Sequence, residues 1–307
     1  MDIPFHSLRY FSVLAETLHF GNAAARLSIS PPSLSQQIRR LESILGAELF
    51  DRTSRSVSLT TAGSELVPLA RRVVDNHTAI VHWARARQAA AGDSILRIGM
   101  VAAGAGDLTS VILATAVQRM PGIRLEMRRL GFLDTRDELV AGTVDVVFAP
   151  APIAHDDRVH FQPLWSERRM LVVPVGHRLA ERSSVTIGET AEEIFIGVSG
   201  SDAMTLDWWL VDPRPDGSHP RRGPVADSFE GILELVSAGV GVNIAAASAA
   251  KHYRRETVRY IPITDIDPTT VMLCSLEEPA NAAVHVFEEI VAEIVEQHPN
   301  PMDEPSR

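Results

Sequence analysis

A chain of 307 residues, 45% hydrophobic and 22% charged, has the make-up of an ordinary globular protein, and it has room for one small domain beside one or two α/β domains. The formal net charge of −10 argues against nonspecific nucleic-acid binding by the surface as a whole. The single cysteine, Cys274, lies in an apolar run and excludes an internal disulfide, which fits a reducing compartment.

Residues 5–18 place Leu8, Phe11, Leu14, Ala15 and Leu18 on one helical face, and a second short helix is predicted from Phe20 to Leu27. Ser30 is a good N-cap for a third helix, with Pro31 at a first position where its missing N–H costs nothing. Leu34, Ile38, Leu41 and Leu45 form its apolar stripe, and Gly46 stops it. Two extended runs, 48–52 and 56–59, joined by Thr53-Ser54-Arg55, read as a small hairpin or wing. Thr60 or Thr61 caps a long helix to about Ala90. In it Leu66, Val73 and Ile80 recur every seven residues, with Ala70, His77 and Ala84 beside them. That spacing suits a seam between two helices; the alternative is a helix packed on its own domain.

Ala89–Asp93 reads as a hinge, and beyond it strands alternate with helices. Strands are expected at 95–101, 122–130 and 144–148, with helices at 108–120 and 133–141 between them, which predicts a parallel sheet. Further strands are expected at 163–175, 193–198, 258–263 and 271–276, a helix at 229–238, and a last helix carrying Val284, Phe287, Val291 and Ile294. The stretch around His155, Asp156, Asp157 and His160 reads as a polar surface loop, and the tail from 297 as frayed. The N-terminus lacks a basic segment followed by an apolar core, and no apolar run is long enough to span a bilayer, so the expectation is a cytoplasmic protein with no membrane partner.

Residues 8–63 resemble the DNA-binding region of LysR-type transcriptional regulators. The matching stretches are Leu8-Arg9-Tyr10-Phe11, Ala23-Ala24-Ala25-Arg26-Leu27, the run from Ser33 to Glu42, the run from Leu45 to Arg52, and Leu59-Thr60-Thr61-Ala62-Gly63. More loosely, Leu96–Gly99, Leu171–His177 and Val236–Val242 resemble the effector half of that family. The resemblance implies an α/β protein with an N-terminal all-α winged helix-turn-helix, a long linker helix and two Rossmann-like effector subdomains similar to periplasmic binding proteins. The expected division is 1–60 for DNA binding, 61–92 for a linker and dimerisation helix, 93–298 for effector binding and 299–307 for a flexible tail. Within the effector domain, subdomain I comprises 93–165 and 267–298, and subdomain II comprises 166–266. Double-stranded promoter DNA, a small-molecule effector, RNA polymerase and further copies of the chain, as dimer or tetramer, are the implied partners.

A recognition helix presents its N-terminal side chains to base edges in the major groove. Ser30, Pro31, Pro32, Ser33, Ser35 and Gln36 lie there, with Arg39 and Arg40 one turn on. Gln36 has the geometry to pair with adenine, and at least one arginine should face the backbone while the other pairs with Glu42 or another acid. The family often has Gln where this chain has Pro31, Arg where it has Gln36, and a Ser or Asn cap where it has His19. Arg52 and Arg55 flank the wing turn; the resemblance points Arg55 into the minor groove, to whose potential arginine is drawn. For Arg52 a salt bridge with Glu48 or Asp51 is the competing role. The charge distribution agrees: residues 1–92 hold ten arginines and seven acids, +3, leaving 19 basic and 32 acidic residues, −13, in the rest.

A crevice between two α/β subdomains is the default ligand site. The loop Ala102-Ala103-Gly104 leads toward a helix N-terminus, which favours a carboxylate. By resemblance, effector contacts fall at Ala103, Phe132 and around Ser199 and Ser201, with Gly200 between them; capping alone is the other role for these serines. A carboxylate or aromatic metabolite is the expected effector. Neither Gly104-Ala105-Gly106 nor Gly239-Val240-Gly241 completes a dinucleotide fingerprint, 197–201 lacks nucleophile-elbow spacing, and the eleven histidines show no metal-ligand spacing. No catalytic, cofactor or metal site is therefore expected. A solute-binding protein or enzyme with an assembly-only N-terminus, and a constitutive DNA binder with an empty pocket, are the competing readings.

Overall fold

The computed structural model describes residues 3–27, 29–52, 57–90, 95–132, 134–198 and 203–298. Arg55, Ser199, Gly200 and Ser201, most of the expected hinge and the tail 299–307 lie outside them. The chain divides into two compact units, Met1–Ala84 and Arg85–Arg307.

In the first unit, α1 (Phe5–Thr17), α2 (Phe20–Arg26) and α3 (Pro31–Leu45) precede a hairpin of β1 (Phe50–Arg52) and β2 (Val57–Leu59), and then α4 (Thr61–Ala90) begins. The apolar stripes meet as their spacing requires: Phe11, Leu14, Leu34, Ile38 and Leu41 are wholly buried, each contributing about 2 kcal/mol of transfer free energy. Leu18 ends α1 in the left-handed region at φ 48°. His19 caps α2, its Nδ1 accepting from Asn22 N at 3.2 Å, so the imidazole takes the place of the usual Ser or Asn. Thr60, not Thr61, caps α4: its hydroxyl accepts from Gly63 N at 2.9 Å and donates to Glu48 O at 2.7 Å. At Gly63 a Cβ would come 2.1 Å from Leu49 O, so only glycine lets α4 start this close to the hairpin.

The seven-residue seam of α4 divides. Leu66 and Ala70 pack into the core of the first unit and His77 stacks on Phe5 at 4.0 Å, whereas Val73 and Ile80 are exposed.

The second unit has two layered halves. The first is a five-stranded sheet in the order β4-β3-β5-β12-β6, formed by β3 (Ile95–Val101), β4 (Arg124–Leu130), β5 (Val146–Pro150), β6 (Val159–Glu167) and β12 (Thr269–Leu276). Helices α5 (Leu108–Arg119) and α10 (Ala283–Gln297) bury Ile112, Ala116, Phe287 and Val291 against one face, while α6 (Thr135–Val140) helps close the other around Leu139, Val147 and Cys274. The second half holds β10 (Asn243–Ala246), β7 (Arg169–Pro174) and β11 (Val258–Pro262) in that order, with β8 (Ile194–Val198) paired to β9 (Arg221–Ala226). Helices α7 (Ala203–Leu210), α8 (Phe229–Ser237) and α9 (Ala247–His252) pack around these strands.

Some expectations need correction or completion. The run 163–175 is not one strand: it divides at Arg168 into β6 and β7, which belong to different sheets. The polar loop ends sooner than expected, because Val159 and His160 open β6 opposite Leu276 and Ser275. The parallel pairing expected of the first three strands holds, but two later strands complete the sheet as a mixed one. β3 runs parallel to β4 and β5, but β12 returns from the other half and enters antiparallel to both β5 and β6. The strands β9 and β10 and the helix α9 were not anticipated; β9 carries Arg221, Arg222 and Pro224, a composition that hides a strand pattern.

Candidate functional site

The exposed side of α3 is the candidate nucleic-acid interface. The helix starts where the sequence says it should: the Ser30 hydroxyl accepts from Ser33 N at 3.3 Å and donates to Ser33 Oγ at 2.9 Å, Pro31 and Pro32 fill the first turn, and Gly46 ends it at φ 68°. Pro31, Pro32, Ser33, Gln36, Arg39 and Arg40 are exposed, and Ser35 is half-buried. Among the described residues, Arg39 and Arg40 carry no intramolecular ion pair. Neither pairs with Glu42, because that carboxylate is taken: Oε2 accepts Arg52 Nη2 at 2.7 Å, and Oε1 accepts Leu49 N at 3.0 Å and Phe50 N at 3.4 Å. Arg52 also lies 5.1 Å from the Phe20 ring centroid. Its partner is thus Glu42 rather than Glu48 or Asp51, and its guanidinium is committed to joining α3, β1 and α2.

Within the second unit, a cavity opens between the two halves. One wall is the loop Val101–Gly104 with Phe132, Pro150 and Pro152; the other is made by α7, α8 and β10, through Leu206, Trp209, Phe229, Ile232 and Asn243 among others. Ala102 sits at φ 49°, in the left-handed region, and its carbonyl accepts from Tyr253 Oη at 2.9 Å across the cleft. Arg129 donates to the same hydroxyl at 2.6 Å and pairs with Glu230, while Asp107 pairs with Lys251 and, at 3.2 Å, with His252. Burial pushes the Tyr253 hydroxyl above its ordinary value, so it stays a donor at neutral pH.

The crossing between the halves is pinned on both sides of Arg168. Glu167 is buried and accepts Trp165 Nε1 and Ser248 N, each at 2.9 Å. Arg169, also buried, donates Nε to Asp267 O and Nη1 to Trp208 O, each at 2.8 Å, and lies 4.0 Å from the Trp208 ring centroid. Burial lowers its pKa to about 10, which leaves it charged at neutral pH.

These two sites correspond to two family models. Residues 5–64 match "Bacterial regulatory helix-turn-helix protein, lysR family", and residues 89–295 match "LysR substrate binding domain". The chain belongs to the LysR family. Its relatives include the uncharacterized HTH-type transcriptional regulator YnfL of Escherichia coli K12, 35% identical over 89% of this chain and 91% of the relative. The regulator AlsR of Bacillus subtilis is 31% identical over 80% of each chain. Full-length BenM superposes with a TM-score of 0.55 at 25% identity over 99% of this chain and 100% of that one. CbnR in complex with its target DNA gives 0.54 at 23% over 95% and 100%. The chain is a DNA-binding transcriptional regulator with an effector-binding domain, from a family of regulators rather than enzymes.

In this LysR-family chain the expected site residues fall into two groups. The α3 residues from Ser30 to Arg40 share one exposed helix surface, which Arg52 does not join. Ala102, Ala103, Gly104 and Phe132 do line one cavity. Sequence reading missed its other wall, including Thr205, Trp209, Asn243 and Ser248. Asn243 carried a usable signal, a polar residue opening the apolar run 243–250. No described helix is long and apolar enough to cross a membrane.

Proposed function

We propose that the chain reads an operator with α3, pairs through α4 and changes its grip on promoter DNA when a small molecule enters the cleft of the second unit. Residues 1–60, 61–92 and 93–298 divide these tasks. The observation that carries the DNA contact is the exposed row Gln36, Arg39 and Arg40, whose cations have no acidic partner among the described residues. Gln36, flanked by Ser33 and Ser35, reads base edges, while Arg39 and Arg40 take phosphates. Arg55 fits the minor-groove contact at the wing.

Pairing is supported by the apolar side chains Val73, Ile80 and Trp83, which α4 leaves exposed, Ile80 by 64%. Two paired heads would reach half-sites one or more helical turns apart. An effector that binds one arrangement of the effector domains better than another shifts the population, and with it the spacing of the heads and their contact with RNA polymerase. A cytoplasmic setting fits these partners.

Titration of a promoter duplex at several salt concentrations tests the DNA contact. A linear fall of log K with log salt is expected, and a flat line overturns it.

A further inference from the structure

We infer that the effector is an uncharged, largely apolar small molecule that donates a hydrogen bond to Asn243. The inference rests on the reading of the cleft as the effector site and goes beyond it in naming the ligand's chemistry.

Three observations support this class. First, among the described residues no charged side chain lines the cavity; the walls they form are mainly aliphatic and aromatic, with Thr205, Asn243, Ser248 and the Trp209 indole as the side chains carrying polar atoms. An ionised ligand would lose its hydration there without gaining a counter-charge. Second, the helix terminus that the sequence offers to an anion is already used. Leu108 N and Thr109 N donate to Ala105 O and Gly106 O at 3.2 Å each. The Asp107 carboxylate stands at the N-cap position, where it pairs with Lys251 and His252. Behind the lining, the buried Glu167 accepts from Ser248 N and the buried Arg169 donates to Trp208 O, so both are already engaged. A carboxylate would find no cation free to pair with it along the described lining, since Arg169 behind the wall is committed to the carbonyls of Asp267 and Trp208.

Third, Asn243 is buried in the wall and aimed by its own amide. Nδ2 donates to Ile196 O at 3.0 Å, which fixes the side-chain orientation; Asn243 lines the cavity, and its Oδ1 carries no hydrogen bond among the described residues. A carbonyl oxygen accepts and cannot donate, so the matching group is a hydroxyl or N–H on an otherwise apolar body. Phe132, Phe229 and Trp209 suit a flat ring.

Isothermal titration of the full chain with phenol, anisole and benzoate separates the alternatives. Phenol should bind tightest. Anisole, which keeps the ring and loses the donor, should bind about two- to tenfold more weakly, the worth of one net hydrogen bond. Benzoate should be at least about tenfold weaker than phenol, from the uncompensated carboxylate. Ala103→Trp, a change on the half-buried rim, should abolish the phenol heat. Benzoate binding as tightly as phenol overturns the uncharged class but leaves the cleft as the effector site. Anisole matching phenol removes the role of Asn243. If no probe binds, or if Ala103→Trp leaves phenol binding intact, the cleft itself fails as the site.

Discussion

Glu42 holds the Arg52 guanidinium at 2.7 Å and, through its other oxygen, the backbone N–H groups of Leu49 and Phe50. One carboxylate on the far side of the recognition helix therefore sets the angle between that helix and the wing hairpin. Both side chains are largely buried, 13% exposed for Glu42 and 26% for Arg52. Glu42→Ala strands a half-buried cation and two backbone donors, and should cost about 2–4 kcal/mol in urea unfolding. Glu42→Gln keeps an acceptor and should cost less. A loss below about 0.5 kcal/mol for Glu42→Ala, the range of an ordinary surface change, would make the pair ornamental.

Gln36 and Arg40 lie one turn apart on the exposed side of α3, yet they should fail differently. Gln36→Ala should lower preference at a single base pair, by about 1–3 kcal/mol. Arg40→Ala should weaken all duplexes alike and shrink the salt slope by about one. Binding to a panel of single-base operator variants at several salt concentrations reads both; equal effects on specificity would overturn the assignment.

Tyr253 joins the two halves of the effector domain by donating to Ala102 O while accepting from Arg129. Tyr253→Phe keeps the ring against Phe229 and removes only the hydroxyl. It should cost about 1 kcal/mol, seen as a melting temperature about 2–4 °C lower. An unchanged melting temperature would show that this strap carries no closure energy.

Cys274 is buried in β12, and burial pushes its thiol pKa up to about 12. The folded chain should resist iodoacetamide at pH 8 and react only as it unfolds. The linked pH effect has one sign. Below the unfolded thiol's value the group is neutral in both states and contributes nothing. As pH climbs from there toward 12 only the unfolded thiol ionises, so stability falls. Rapid native alkylation would contradict the burial.

Ile80 projects from α4 with 64% of its surface exposed. Ile80→Glu should leave the melting of the chain nearly unchanged and move sedimentation toward the monomer. An unaltered assembly would place the pairing surface elsewhere.

The local signals were legible because their causes are local. Ser30, Pro31 and Gly46 bound α3 through capping and backbone geometry that a few neighbouring residues dictate. The buried stripe Leu34, Ile38 and Leu41 follows from a 3.6-residue period. The family resemblance over 8–63 pointed to α3 as the DNA-reading helix, and the structure leaves Gln36, Arg39 and Arg40 exposed on it.

The sequence by itself determined the recognition helix, most of the order of strands and helices, and the near wall of the cleft, where Ala102 to Gly104 follow a strand directly. It could not show that 163–175 divides at Arg168, since an extended run looks the same whether it stays in one sheet or passes to another. Nor could it pair Glu42 with Arg52 or set Asn243 opposite Ala103, because those distances depend on how whole elements pack. Tertiary structure alone decided the character of the cleft proposed as the effector site. The helix terminus that looks anion-ready in sequence is satisfied by its own loop and fronted by Asp107, and the opposite wall supplies an uncharged acceptor in place of a cation.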